Sequence, residues 1–186
     1  MAAVTDVDLF ERIRAGDALA LRALYTRHRV AIYRFALRLT RSETSAEDVV
    51  SEVFVDVWRN SAAFEGWSQP RTFLLGVARN KAYSLLRRRR DEELDEEKAA
   101  EIEDEADTPE VALQKRAKRD ILRACLDRLS AAHREVIDLV YYHDKSIDEV
   151  AEIVGAPVGT VKTRMYHARK RLAEFIADAG EDRGWP

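Results

Sequence analysis

The sequence has one cysteine, Cys125, so no internal disulfide is open to it, and its place among Ile121, Leu122, Leu126 and Leu129 at helical spacing predicts a buried thiol. The four histidines, His28, His133, His143 and His167, lack metal-ligand spacing, and neither a glycine-rich phosphate loop nor a G-x-S-x-G nucleophile turn occurs. These absences leave no catalytic constellation, no metal and no cofactor, and predict a protein that is not an enzyme. No window approaches the roughly 18 uninterrupted apolar residues that a membrane-spanning helix needs. The N-terminus has no basic start followed by an apolar run. The expectation is a cytoplasmic protein without membrane insertion.

Acidic residues are missing as well, from two stretches. None occurs between Gly66 and Arg90, where seven basic residues fall, and none between Ile153 and Ala173. The acid is gathered between them: the net charge is +6 over residues 1–90, −11 over 91–110 and +2 over 111–186. The overall −3 therefore conceals local basic surfaces, and local surfaces set the field that a nucleic acid meets.

Residues 146–172, SIDEVAEIVGAPVGTVKTRMYHARKRL, spell two helices joined by a tight turn. Ser146 and Glu149 have the spacing of a capping box, Gly155 stands where a helix end needs positive φ, and Pro157 suits the first turn of a new helix near Val158. In the second helix Val161, Met165, Ala168 and Leu172 form an apolar stripe facing the first. The opposite side carries Gly159, Lys162, Thr163, Tyr166 and Lys170, flanked by Thr160, Arg164 and His167. A cationic, hydroxyl-bearing helix of this kind fits a DNA major groove, so the segment reads as a helix-turn-helix.

The remainder reads as helical throughout. Asp6 or Asp8 is the expected cap of a first short helix ended by Gly16, and Asp17 caps a second from Ala18 to about Thr40, with Leu21, Leu24, Tyr25, Ile32, Tyr33, Ala36, Leu37 and Leu39 inward. Ser45 is expected to cap a third, whose pairs Val49 and Val50, Val53 and Phe54, Val57 and Trp58 recur every four residues. Its other surface, with Asp48, Ser51, Glu52 and Asp56, is either plainly solvated or a docking surface for a basic partner. Residues 60–70 form a loop holding Phe64 and Trp67, which either tuck onto the core or offer stacking platforms for unpaired bases. A basic helix follows, with Phe73, Leu74, Val77, Ala78, Ala82 and Leu85 inward, and its seven basic residues with no acidic one make it look like a second nucleic-acid contact. The acidic segment cannot bury enough apolar surface to offset its ordering entropy and reads as a linker. Beyond it Thr108 and Pro109 open a helix running to Leu129, and Ser130 starts another with Val136, Ile137, Leu139 and Val140 inward. The fold class expected is all-α: two small helical domains, residues 1–90 and 110–178, joined by an acidic flexible linker, 91–109, with a short tail at 179–186.

Three ordered motifs, AEDVVSEVFVDVW, PRTFLLGVARNKAYSLLRRRR and the helix-turn-helix, give the chain a resemblance to bacterial RNA polymerase sigma factors of the extracytoplasmic-function (ECF) group. The resemblance implies a factor that lends promoter specificity to core RNA polymerase, bound through its β′ clamp helices and β subunit. Residues 1–90 then correspond to sigma region 2 and 110–178 to region 4. Asp48, Ser51, Glu52 and Asp56 fall on the polymerase-binding face. Arg79, Asn80 and the loop with Phe64 and Trp67, with Arg71, Arg87 and Arg88, match the part that captures the minus-ten element. Val158, Gly159, Thr160, Lys162, Thr163, Arg164 and His167 match the part that reads the minus-thirty-five element. Relatives commonly have an anti-sigma factor, and a free sigma factor is expected to be monomeric. A stand-alone helix-turn-helix regulator would also need the last domain, and an interaction adaptor would also offer an acidic face, but neither accounts for two basic surfaces.

Overall fold

The computed structural model describes residues 4–66, 68–92 and 120–179, and all regular structure among them is helical. The helices fall into two compact units. The first contains α1 (Asp6–Arg14), α2 (Ala18–Thr40), α3 (Glu43–Arg59), a 3-10 turn (Ser61–Ala63) and α4 (Pro70–Glu92). The second contains α5 (residues 120–127), α6 (Ala131–Tyr141), α7 (Ile147–Val154) as far as Ala151, and α8 (Val158–Asp178), while Glu152–Gly155 group with the first unit. The acidic segment and the start of α5, with Thr108 and Pro109, lie outside the described residues.

In the first unit two of the three caps fall just before the positions expected. Thr5, not Asp6 or Asp8, opens α1: its hydroxyl accepts from the Asp8 N–H at 3.2 Å while the Asp8 carboxylate accepts from the Thr5 N–H at 2.8 Å. Asp8 thus occupies the third helical position, where a carboxylate completes a capping box. Asp17 caps α2 as expected, accepting from the N–H groups of Leu19 and Ala20. Ser42, not Ser45, caps α3, its hydroxyl accepting from the Ser45 N–H at 3.2 Å. Its backbone is extended (φ −136°, ψ 125°), as a cap requires, and Ser45 lies buried in the first turn.

Helices α2, α3 and α4 pack on one another, and α1 packs on α2. Their core contains Leu24, Ile32, Phe35 and Ala36 of α2, Val49, Val50, Val53, Phe54 and Val57 of α3, and Leu74, Leu75, Ala78 and Ala82 of α4. Two expected core aromatics lie outside it. Trp58 is 41% exposed, because the buried arc of α3 closes at Val57, and Tyr25 sits at the rim with its ring edge-on to Phe54 at 4.9 Å. Phe35, Leu75 and His28 fill positions that the periodicity had not assigned inward.

In the second unit, α5 ends at residue 127 and a turn takes the chain through Leu129, two residues sooner than expected. Cys125 is buried. Ser130 caps α6, and Ser146 with Glu149 forms the expected capping box of α7. The other oxygen of Glu149 accepts from Lys145 at 2.7 Å, which fastens the turn ahead of α7. Val136, Ile137 and Leu139, Val150, Ala151, Ile153 and Val154, and Val161, Met165 and Ala168 are buried. Helix α8 packs on α6, a neighbour that spacing alone did not identify. Four ionisable side chains are also buried, Glu135, Asp138, His143 and Lys145, with His143 Nε2 3.4 Å from Asp138 Oδ2.

Candidate nucleic-acid interface

The start of α8 is set by its turn. Gly155 has φ +63°, a conformation that any side chain would strain, and Pro157 occupies the cap position, so the new helix begins at Val158. Burying Val161, Met165 and Ala168 leaves Gly159, Thr160, Lys162, Thr163, Tyr166, His167 and Lys170 exposed, with Val158 and Arg164 half-buried. Thr163 donates its hydroxyl to the Gly159 carbonyl at 3.0 Å, so that hydroxyl presents acceptor lone pairs outward. Lys162, Arg164, Lys170 and Arg171 form no ion pair among the described residues. A helix face with uncompensated cations repels itself and attracts an anion. His133 of α6 joins this face, its ring 6.5 Å from that of His167 and near-parallel to it. Burial, then Arg171, His167 and Arg164, push the His133 pKa below the ordinary imidazole value. Spacing gave no sign of this residue, since only the packing of α6 on α8 brings it there.

The basic stretch of the first unit lies along α4. Asn80, Arg87 and Arg88 are exposed, and Arg79 is half-buried with its guanidinium over the Tyr83 ring at 4.6 Å. Arg71 is half-buried, and its Nε has no hydrogen-bond partner among the described residues. Phe64 corrects the expectation of a stacking platform. It is 3% exposed, stacked on Phe10 at 4.3 Å between ring centroids and edge-on to Phe73 at 5.4 Å, so neither of its faces is open to a base. Burial of a phenyl ring among two others outweighs its exposure at a loop tip. Trp67 lies outside the described residues.

On α3, Asp48, Ser51 and Glu52 are exposed together. Asp56 is half-buried, accepting from Asn60 Nδ2 at 2.8 Å and lying 3.7 Å from Lys81 Nζ, which is also 4.0 Å from the exposed Glu52 carboxylate. Val55 and Trp58, one and two turns beyond Ser51, add exposed apolar surface to this acidic face.

Two family models match the chain: Sigma-70 region 2 over residues 24–92, which spans most of α2 through α4, and Sigma-70, region 4 over residues 119–172, which spans α5 to α8 nearly to its end. The ECF RNA polymerase sigma factor SigL of Mycobacterium tuberculosis is 32% identical over 185 residues, an alignment covering 91% of this chain and 96% of that one. The chain belongs to the ECF sigma factors of RNA polymerase. Similarity to the ECF sigma-E factor of Haemophilus influenzae is 29% identity, covering 93% of this sigma factor and 96% of the relative. Among solved structures, the sigma factor RpoE in complex with the anti-sigma factor NepR from Bartonella quintana has a TM-score of 0.67 at 28% identity, covering 84% of this chain and 96% of that one. CnrH in complex with the cytosolic domain of CnrY also has a TM-score of 0.67, at 26% identity, covering 95% and 99%. As an ECF sigma factor the protein acts in transcription initiation, and its all-helical architecture is the one that its motifs implied. No helix among the described residues is long and apolar enough to cross a membrane.

Proposed function

We propose that this sigma factor divides initiation among three surfaces. Asp48, Ser51 and Glu52 of α3 meet the β′ clamp helices of core RNA polymerase, with Asp56 holding α3 to α4 from behind. Asn80 and Arg79, with Arg71, Arg87, Arg88 and the loop ahead of α4, take the non-template strand of the minus-ten element. Lys162, Thr163, Arg164 and His167, with Val158, Gly159 and Thr160 at the start of α8, enter the major groove of the minus-thirty-five element. The observation that carries this reading is the exposed face of α8, whose cations have no ion pair among the described residues and whose first turn is free of bulky side chains.

Residues 1–90 then form the polymerase and minus-ten domain, 91–109 the linker, 110–178 the minus-thirty-five domain and 179–186 a tail. Phe64 is removed from the base-contacting set by its burial. The protein works in the cytoplasm without cofactor or metal, as an initiation factor and not a catalyst, and is monomeric when free. An anti-sigma factor is its expected regulator, because the sigma factor RpoE of a similar solved structure is bound to the anti-sigma factor NepR. The test is charge reversal on α3. Asp48→Arg and Glu52→Arg change exposed side chains, so each should fold as the wild type yet fail to co-purify with core polymerase, and unchanged binding of both variants would reject the docking face.

A further inference from the structure

Helix α1 lies ahead of the residues matched by the region 2 model, which begins at residue 24, and its side chains grip the loop ahead of α4. Arg14 Nε donates to the Ser61 carbonyl at 3.3 Å, and its Nη2 donates to the Phe64 carbonyl. One guanidinium thus joins both ends of the 3-10 turn. One turn earlier, Phe10 stacks on Phe64 and lies edge-on to Phe73 of α4 at 5.9 Å. Helix α1 is itself fastened to α2, since Asp6 accepts from Arg27 and lies against His28, each at 2.7 Å. The loop is therefore held at Phe64 by side chain and backbone, and again where Pro70 enters α4. Between those points Gly66 turns the chain at φ +82°.

We propose that Arg14 is a positioning residue for minus-ten recognition: by holding the Ser61 and Phe64 carbonyls it keeps the loop in the conformation that receives an unpaired base. This rests on the reading of that loop and Asn80 as the minus-ten surface. A loop ordered in advance spares the bound state the cost of ordering it, and the planar fork of arginine suits two carbonyls in a way that a lysine ammonium does not.

The test uses full-length Arg14→Ala and Arg14→Lys, each assembled with core polymerase, with Asn80→Ala in parallel. Amide hydrogen exchange at residues 61–69 should quicken in both Arg14 variants while the core of α2 to α4 exchanges as before. Open-complex formation on an intact duplex promoter should fall about tenfold, as for one lost charge-assisted hydrogen bond, and a pre-melted bubble should restore most of it. Lysine keeps the charge and should not rescue. Unchanged exchange at 61–69, full activity of Arg14→Lys, or equal loss on both templates would overturn the proposal. Should alanine lower the unfolding midpoint, Arg14→Gln, which keeps a donor for one carbonyl, must still quicken exchange at 61–69, and its failure to do so is equally decisive. If Asn80→Ala is equally defective on duplex and bubble, the base-capture reading falls, and the positioning role falls with it; an Asn80 defect confined to the duplex, with no such defect in the Arg14 variants, overturns only the role of Arg14.

Discussion

Lys162 and Lys170 are both exposed on α8 and form no ion pair among the described residues. Eight residues separate them, about 12 Å along the helix axis, so each reaches its own phosphate and not a shared one. Each phosphate neutralised contributes about 0.9 to the slope of log affinity against log salt, so Lys162→Gln with Lys170→Gln should flatten that slope by about 1.8. Between 50 and 200 mM salt, a fourfold change, the wild type's advantage over the double variant should then shrink about twelvefold. Glutamine keeps the helix propensity and much of the side-chain length, so only charge is removed. The assay is fluorescence anisotropy of holoenzyme on a labelled duplex that carries the minus-thirty-five element, over a salt series. Parallel log–log lines for wild type and double variant would mean that neither lysine meets phosphate, and the orientation assigned to α8 would be wrong.

Asn80→Ala should impair opening of an intact duplex promoter more than initial closed binding, because an unpaired base loses an exposed partner, and a pre-melted template should restore its activity; an equal defect on both templates would assign Asn80 to general affinity. Burial alone would raise the carboxyl pKa of Asp6, but the hydrogen bonds from Arg27 and His28 outweigh it and hold the group below the ordinary aspartate value. The stability this adds is therefore complete above about pH 4 and is lost as the pH falls through the lowered folded-state value. Asp6→Asn should cost about 1 kcal/mol near neutral pH, the solvent-screened worth of a half-exposed pair, and the deficit should shrink in denaturant titrations below about pH 4. Met165→Ala empties a buried position between α8 and its neighbours and should destabilise the second unit by about 2 to 5 kcal/mol, whereas Tyr166→Ala, one residue on and exposed, should stay within about 0.5 kcal/mol by thermal unfolding.

Local signals carried most of the architecture. Ser146 with Glu149, Gly155 and Pro157 specify the turn of the helix-turn-helix through backbone chemistry that acts over a few residues, and the structure has the first three in their expected roles, with Pro157 one position earlier, at the cap. Asp17 and Ser130 likewise cap the helices they were expected to cap. What spacing could not reveal was set by partners distant in sequence. Trp58 fits the apolar repeat of α3 as well as Phe54 does, but the repeat does not say where α2 and α4 stop covering the helix. Phe64 reads equally as a core aromatic or as a stacking platform until Phe10, more than fifty residues earlier, is brought against it. The same holds for Arg14 and for His133, whose neighbours are supplied by tertiary packing. Ser42 lost to Ser45 in the reading of α3 because either serine satisfies the cap pattern, and only the extended backbone at Ser42 distinguishes them.

The most direct test of the central claim is transcription by purified core polymerase, with and without this chain, from a library of templates randomised upstream of a fixed reporter, with the RNA 5′ ends sequenced. A sigma factor should produce transcripts that depend on the chain and start at a fixed distance downstream of two enriched sequence blocks, and the block farther upstream should lose its enrichment in the Lys162 and Arg164 alanine variants. Transcription no greater than that of core polymerase alone, from a chain that nevertheless binds duplex DNA, would contradict the account and leave a stand-alone DNA-binding regulator in its place.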